Sequence, residues 1–197
     1  RVVSKQLRRF FASARRLART GSGAGATGMR QALDLREVTG LPEKIRRWFA
    51  ALPAAAYGDG SPSRGQDLAD GMQMLGDRLR ELAALRGAPQ SELLVRELAP
   101  DMRSWRNGIQ EVLRGLDADP QHIDAPEWRA RLDAKLATLE ARIESVLSDA
   151  PAGAVSAEEF ANMYRLLGAY RGVSESLVRL TEYAAAMDWE RLREARF

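Results

Sequence analysis

Few side chains in this sequence could carry out chemistry, and they are widely spaced. His122 is the only histidine and stands between Asp119 and Asp124 in the segment DADPQHIDAP. A Ser-His-Asp triad would need His122 as its base, but no G-x-S-x-G elbow precedes a helix. A helical di-metal site needs Glu-x-x-His pairs on inward faces, and the sequence contains none. We therefore expect His122 to be a solvated loop residue.

Two other patterns have simple structural explanations. The segment GSGAGATG, residues 21–28, lacks the G-K-[ST] ending of a phosphate loop and is typical of a linker. The acidic pair Glu158-Glu159 suits the first turn of a helix, where negative charge is favoured. With no cysteine in the chain, disulfides and thiolate chemistry are excluded. We expect no catalytic residue, metal or cofactor, and no enzyme, unless two carboxylates share a buried pocket between helices.

The N-terminus is the most unusual part of the chain. Its first nineteen residues carry seven positive charges and no acid, whereas the other 178 hold 23 basic and 27 acidic side chains. Apolar residues recur there at helical spacings of four and three, which gives a basic amphipathic helix. Such a helix is typical of contact with a membrane surface or an acidic partner. The predicted contact residues in this helix are Lys5, Arg8, Arg9, Phe10, Phe11, Arg15, Arg16 and Arg19.

The other end of the chain offers a second set of contact candidates. Trp189, Arg193 and Arg196 lie in MDWERLREARF and would suit a membrane interface if a span followed Phe197. The alternative is the frayed end of an amphipathic helix. The basic arm could also meet nucleic-acid phosphates, but the rest of the chain is net acidic and has no helix-turn-helix or RNP signature. We expect no nucleic-acid partner.

The apolar pattern predicts an all-α fold. Stripes at spacings of three and four indicate four long helices between about Gly65 and the C-terminus, and nothing alternates like a strand. Pro100 should kink or split the second of these helices, and Asp124 and Ser156 have capping-box spacing to a glutamate. We expect an antiparallel bundle of about four long helices, with an N-terminal basic amphipathic helix and short helices. The expected helix content is about two-thirds to three-quarters, well above the globular average.

Three regions follow from this pattern. Residues 1–20 form the basic helix, residues 21–65 a glycine-rich linker with two short helices, and residues 66–197 the bundle. One short helix is expected near Met29–Val38, and the other is LPEKIRRWFAALP. The segment YGDGSPSRG, residues 57–65, is rich in turn residues and predicts a loop.

Three segments together resemble a known family. They are SELLVRELAPDMRSWR, YRLLGAYRGVSESLV and DWERLREARF, and they resemble the soluble helical region of bacterial inner-membrane proteins of the fusaric acid resistance (FUSC) family. Aromatic acid exporters belong to the same broad group. The resemblance covers about residues 65–197. It implies a helical domain that accompanies membrane helices in a protein associated with efflux of aromatic acids and other toxic compounds, although no apolar run here reaches the ~20 residues of a span.

Two functions follow as expectations. The first is a non-enzymatic helical domain of a FUSC-type inner-membrane protein that serves assembly, coupling or regulation. The positive-inside rule would place it on the cytoplasmic side, with its own membrane domain or the anionic membrane surface as partner. The sequence also leaves open whether the chain forms a homo-oligomer. The alternative is a free-standing interaction or effector protein that docks on membranes or an acidic partner through its basic helix. In the first case we expect residues 2–17 to be poorly ordered or to pack apart from the bundle.

Overall fold

Helices make up nearly all of the structure. A computed structural model describes residues 2–19, 27–52 and 63–194, of which 86% are helical and none forms a strand. The all-α prediction is therefore confirmed. Of the predicted irregular segments 21–28 and 57–65, residues 21–26 and 57–62 lie outside the described residues. Residues 27–28 and 63–65 are helical, so that part of the prediction is wrong. The helices are α1 (Val2–Arg19), α2 (Thr27–Ala50), α3 (Ser63–Leu85), α4 (Glu92–Ala118), α5 (Ala125–Asp149), α6 (Ala157–Ala185) and α7 (Trp189–Glu194).

Six long helices form an antiparallel bundle. Helices α1, α3, α6 and α4 contact one another in a closed ring of four. Helix α2 packs on α1 and α3, while α5 packs on α4 and α6. Each apolar stripe points inward because burial removes it from water, at roughly 25 cal/mol per Å² of apolar surface. A four-helix centre flanked by two further helices is the result.

The first helix is an integral part of this bundle, so the prediction that it packs apart is wrong. Phe10 is fully buried, Phe11 is 4% exposed and Leu17 is 2% exposed. These residues belong to the same hydrophobic core as the long helices, and that core also contains residues of the predicted linker region. A basic amphipathic pattern does not say what covers its apolar face. Here α2, α3 and α4 cover it.

The region after the linker is one helix where two short ones were expected. Helix α2 runs from Thr27 to Ala50 with Pro42 inside it. Val38, Leu41, Ile45 and Phe49 are all buried and keep one stripe along its length. The apolar contacts therefore maintain the helix across a residue that removes one backbone donor. Helix α4 likewise continues through Pro100, so the expected split is absent.

Two predicted helix starts agree with the structure, whereas the last long helix, expected to run toward the end of the chain, finishes earlier. Ser156 and Glu159 form a complete capping box, and Asp124 accepts a hydrogen bond from the Glu127 amide. The last long helix stops at Ala185, and the chain turns before α7. Trp189 then folds back into the core, where its indole N–H donates to the Ala184 carbonyl at 2.7 Å. This hydrogen bond satisfies the buried indole and closes the end of α6.

Candidate functional site

The charges of the first helix fall into two groups along its length. Lys5 and Arg8, in its first half, are exposed and have no ion-pair partner among the described residues. Arg15, Arg16 and Arg19, in its second half, line a cleft against α4. Residues 5 and 16 are separated by about 16 Å along a helix that rises 1.5 Å per residue. The basic residues that the sequence suggested as one contact surface therefore belong to two separate surfaces.

The predicted aromatic contacts with a membrane are not available in this fold. Phe10, Phe11 and Trp189 are all buried, Trp189 being 8% exposed. Their apolar surface already packs in the core, so a membrane could take it up only if the bundle opened. Arg193 lies in α7, but its side chain is not among those that the structure describes. Arg196 lies outside the described residues.

A polar network fixes α1 to α2. Arg16 donates from Nε to both Asp34 carboxylate oxygens at 2.9 and 3.0 Å, and from its terminal nitrogen to Oδ1 at 2.6 Å. The Ser13 hydroxyl donates to Glu37 at 2.6 Å, and Arg9 pairs with the other oxygen of the same carboxylate. The hydrogen bond to Asp34 raises the pKa of Arg16. These bonds orient the charged face of α1 against its neighbour.

The network gives a prediction about acid stability. Burial tends to raise the pKa of Glu37, but the hydrogen bonds from Ser13 and Arg9 outweigh it and lower the pKa below the ordinary 4.5. A carboxyl group with a lowered folded pKa stabilises the fold above its ordinary pKa, and this stabilisation is lost as the pH falls through the folded pKa. We expect Glu37→Gln to destabilise the protein at pH 7 and to have a smaller effect at an acid pH below the folded pKa of Glu37. Urea unfolding of both proteins across this range measures the difference, and an equal loss at both pH values contradicts the assignment.

The cleft between α1 and α4 is the most distinctive site in the described structure. Its volume is about 660 Å³. The lining combines six guanidinium groups with two amides and one small apolar side chain, and no acidic or histidine side chain is among these described residues. The lining residues are Ala12, Arg15, Arg16, Arg19, Arg103, Arg106, Asn107, Gln110 and Arg114.

Only two of the six arginines have an acidic partner in the described residues. Arg16 pairs with Asp34, and Arg15 approaches Asp117 at 3.3 Å. The Gln110 amide donates to the Arg15 carbonyl at 2.7 Å and ties α4 to α1. The other four guanidinium groups form no ion pair within the described chain, although they lie around one concave surface. These four are Arg19, Arg103, Arg106 and Arg114.

A further arginine, Arg86, contacts the end of α1. Arg86 donates to the carbonyls of Leu17 and Ala18 at 2.7 and 3.2 Å, where α1 ends. Burial lowers the pKa of Arg86, and Arg106 is close enough to lower it further. Burial also raises the pKa of Tyr170, which hydrogen bonds with Arg86. Arg86 therefore adds a seventh positive charge close to the arginines of the cleft.

Stacked rings and hydrogen bonds hold the interior beside Arg86 together. The Tyr170 ring stacks on Trp105 with centroids 4.1 Å apart and planes inclined by 26°. The Trp105 indole donates to the Ser174 hydroxyl at 2.9 Å, and that hydroxyl donates to the Tyr170 carbonyl at 3.0 Å. These bonds join α4 to α6 and hold the cleft-forming part of α4 in place.

Sequence reasoning found half of the cleft and missed the other half. Arg15, Arg16 and Arg19 were predicted contact residues, but the α4 residues were read only for their apolar stripe. Arg103, Arg106, Asn107, Gln110 and Arg114 recur at spacings of three, one, three and four, so they form one polar face of a helix. That face was visible in the sequence. Its position opposite the basic face of α1 was not.

The other chemical candidates remain isolated. The side chain of His122 is 75% exposed and contacts Asp119 at 3.0 Å. In the described part of the chain, no group of three or more histidine, cysteine or acidic residues could hold a metal ion. Glu158 and Glu159 lie in the first turn of α6, where the Glu159 carboxylate accepts a hydrogen bond from the backbone N–H of the N-cap residue Ser156. The favourable position of negative charge in the first turn of a helix is enough to explain this acidic pair.

Comparison with known protein families, curated proteins and solved structures gives no match for this chain. None of the helices in the described ranges is both long and apolar enough to cross a membrane. The geometry of the bundle and its charged surfaces are therefore the features that bear on the function of this chain.

Proposed function

We propose that this chain is a non-enzymatic helical domain of a bacterial inner-membrane, transporter-like protein of the FUSC type. It serves assembly, coupling or regulation on the cytoplasmic side of the membrane. The observation that carries the proposal is the direction of the helices, because α1 begins at the end of the bundle where α6 finishes. The sequence resemblance described above supplies the family.

The contacts along the helices give these directions. Helix α1 is antiparallel to α2, since Arg9 pairs with Glu37 and Arg16 with Asp34. Helix α2 is antiparallel to α3, since Phe49 lies at Gly65 while Val38 lies at Gly76. Helix α3 is antiparallel to α6, since Arg64 donates to the Ala186 carbonyl while Arg78 lies at Gly172. Helix α1 therefore runs opposite to α6, and the start of α1 lies at the same end of the bundle as the finish of α6.

This geometry suits a domain inserted into a longer polypeptide. When the first helix starts at the end of the bundle where the last long helix finishes, neighbouring segments can enter and leave near that end without disturbing the core. Lys5 and Arg8 are exposed near that end, and basic residues close to an anionic membrane surface contribute about 1 kcal/mol each. With Phe10 and Phe11 buried, this contact would be electrostatic and would not insert apolar side chains.

The second candidate is a free-standing interaction protein that docks on a membrane or an acidic partner. The arginine cleft favours it, because four guanidinium groups without acidic partners in the described chain offer a binding surface for negative charge. The two candidates differ in how the domain is held at the membrane. In the first the polypeptide itself is anchored, and in the second the attachment is a reversible charge contact.

Membrane fractionation separates these candidates. An antibody raised against this domain would be used on extracts of the bacterium that carries the gene. We expect the antigen to remain with the membranes through washes in high salt and alkaline carbonate and to be released only by detergent. Recovery in the soluble fraction, or release by salt alone, overturns the proposal. Release by salt would favour the second candidate, since salt screens surface charge contacts.

A further inference from the structure

We propose that the cleft between α1 and α4 binds a compact soluble anion that carries several phosphate groups. This inference goes beyond the proposed function, because it holds whether or not the chain is part of a membrane protein. The site is defined by Arg15, Arg16 and Arg19 of α1 and by Arg103, Arg106 and Arg114 of α4.

The charge balance of the cleft points to an anion. Of its six guanidinium groups, Arg15 and Arg16 have partly compensating carboxylates in Asp117 and Asp34. The remaining four positive charges have no acidic partner among the described residues and face one concave surface. Like charges held together are unfavourable, and an anion with several negative charges relieves this cost. Guanidinium groups also match phosphate oxygens with paired, charge-assisted hydrogen bonds.

The partly buried Arg86 adds an independent observation. Its guanidinium has backbone carbonyls and Tyr170 as partners, but it forms no ion pair within the described residues. It holds the last turn of α1 in place and lies close to Arg106, which lines the cleft. Partial burial of a cation without a counter-charge is unfavourable. An anion bound at Arg106 would supply part of that missing negative charge.

The size and chemistry of the cleft narrow the class of ligand. A volume of about 660 Å³ falls within the usual range for small-molecule sites. No aromatic side chain is among the lining residues, so the cleft offers no stacking surface for a nucleobase. Recognition would depend on charge and on the Asn107 amide. These features favour a compact polyphosphate group over a ligand recognised through a ring.

The position of the cleft favours a soluble ligand over a lipid headgroup. Residues 12–19 belong to the half of α1 that lies away from the start of the helix. Lys5 and Arg8 lie near that start, where α6 also finishes. A membrane that meets this end of the bundle would contact Lys5 and Arg8 and would leave the cleft open to solution.

Isothermal titration calorimetry with sodium tripolyphosphate, pyrophosphate and orthophosphate tests the site. We expect affinity to rise with the charge of the ligand and to fall as sodium chloride is added. The double variant Arg103→Gln/Arg114→Gln should weaken tripolyphosphate binding at least about tenfold, since each substitution removes a charged donor. The control Arg36→Gln/Arg179→Gln removes two exposed arginines outside the cleft and should change affinity less than about twofold.

A second set of variants separates phosphate in solution from phosphate on a membrane. The variant Lys5→Gln/Arg8→Gln should bind vesicles of phosphatidylglycerol and phosphatidylcholine more weakly than the unchanged protein does. The cleft variant should bind these vesicles as well as the unchanged protein does. Circular dichroism melting shows whether each variant is folded; should the cleft pair unfold, Arg114→Gln alone is titrated in its place. The proposal is overturned if tripolyphosphate fails to bind, or if the control pair weakens binding as much as the cleft substitution. These outcomes do not depend on membrane fractionation, so failure of this inference is distinguishable from failure of the proposed function.

Discussion

Replacing Phe10 with alanine is expected to lower the free energy of unfolding by about 3–5 kcal/mol. The side chain is fully buried and lies in the same hydrophobic core as the long helices. Removing the ring would forfeit its transfer free energy and leave a cavity between α1 and its neighbours, and a close-packed interior can fill such a cavity only in part. Urea unfolding followed by circular dichroism measures the change in free energy.

Arg8→Ala is the matched control for this measurement. It lies in the same helix, it is exposed, and no ion pair is formed by its side chain in the described structure. Its effect should stay within about 0.5 kcal/mol. A small effect of Phe10→Ala, similar to that of the control, would mean that the first helix is a loosely attached arm. The sequence alone had suggested such an arm.

Replacing Gly76 with alanine is expected to cost about 1–3 kcal/mol, because the new methyl group overpacks a helix contact. An added Cβ would lie 2.5 Å from the backbone oxygen of Val38 in α2. Pro42 has no N–H, so this carbonyl lacks the usual helical donor four residues along. Helix α3 approaches it closely only because position 76 has no side chain. Since the obstacle is backbone, either α2 or α3 must move.

The substitution Gly168→Ala, in the same bundle, is expected to have the opposite effect on stability. Gly168 lies inside α6, and nothing occurs within 4 Å of an added Cβ. Alanine should therefore stabilise the helix by roughly 0.5–1 kcal/mol, through the smaller entropy loss on folding. Thermal and urea unfolding of the two variants should move in opposite directions. Destabilisation by both would show that the glycines act through something other than the packing at Val38.

Much of the architecture was predictable because local periodicity carries it. The stripe of Leu68, Met72, Leu75, Leu79 and Leu82 predicted one face of α3, and all five residues are buried. Trp105 was predicted to be a core residue, and it is. Capping at Ser156 was equally readable, because a serine and a glutamate three residues apart satisfy each other's backbone groups.

Helix continuity at the prolines was not predictable in this way. Pro42 and Pro100 each remove a local hydrogen bond, and local rules therefore favour a break. Both helices continue because the apolar stripes on either side of the proline pack against neighbouring helices. The gain from that packing involves residues far apart in the chain, so no local pattern reports it.

The sequence by itself determined that this protein is helical, which face of each helix is apolar, and that the first helix is basic and amphipathic. Only the tertiary structure decided what covers that helix. The same pattern suits a membrane surface and a protein core, because either can cover the apolar face of an amphipathic helix and the spacing of residues is the same in both cases. Packing against α2, α3 and α4 buried Phe10 and Phe11, and it set Arg15, Arg16 and Arg19 opposite Arg103, Arg106 and Arg114. The cleft exists because two distant helices are neighbours in space.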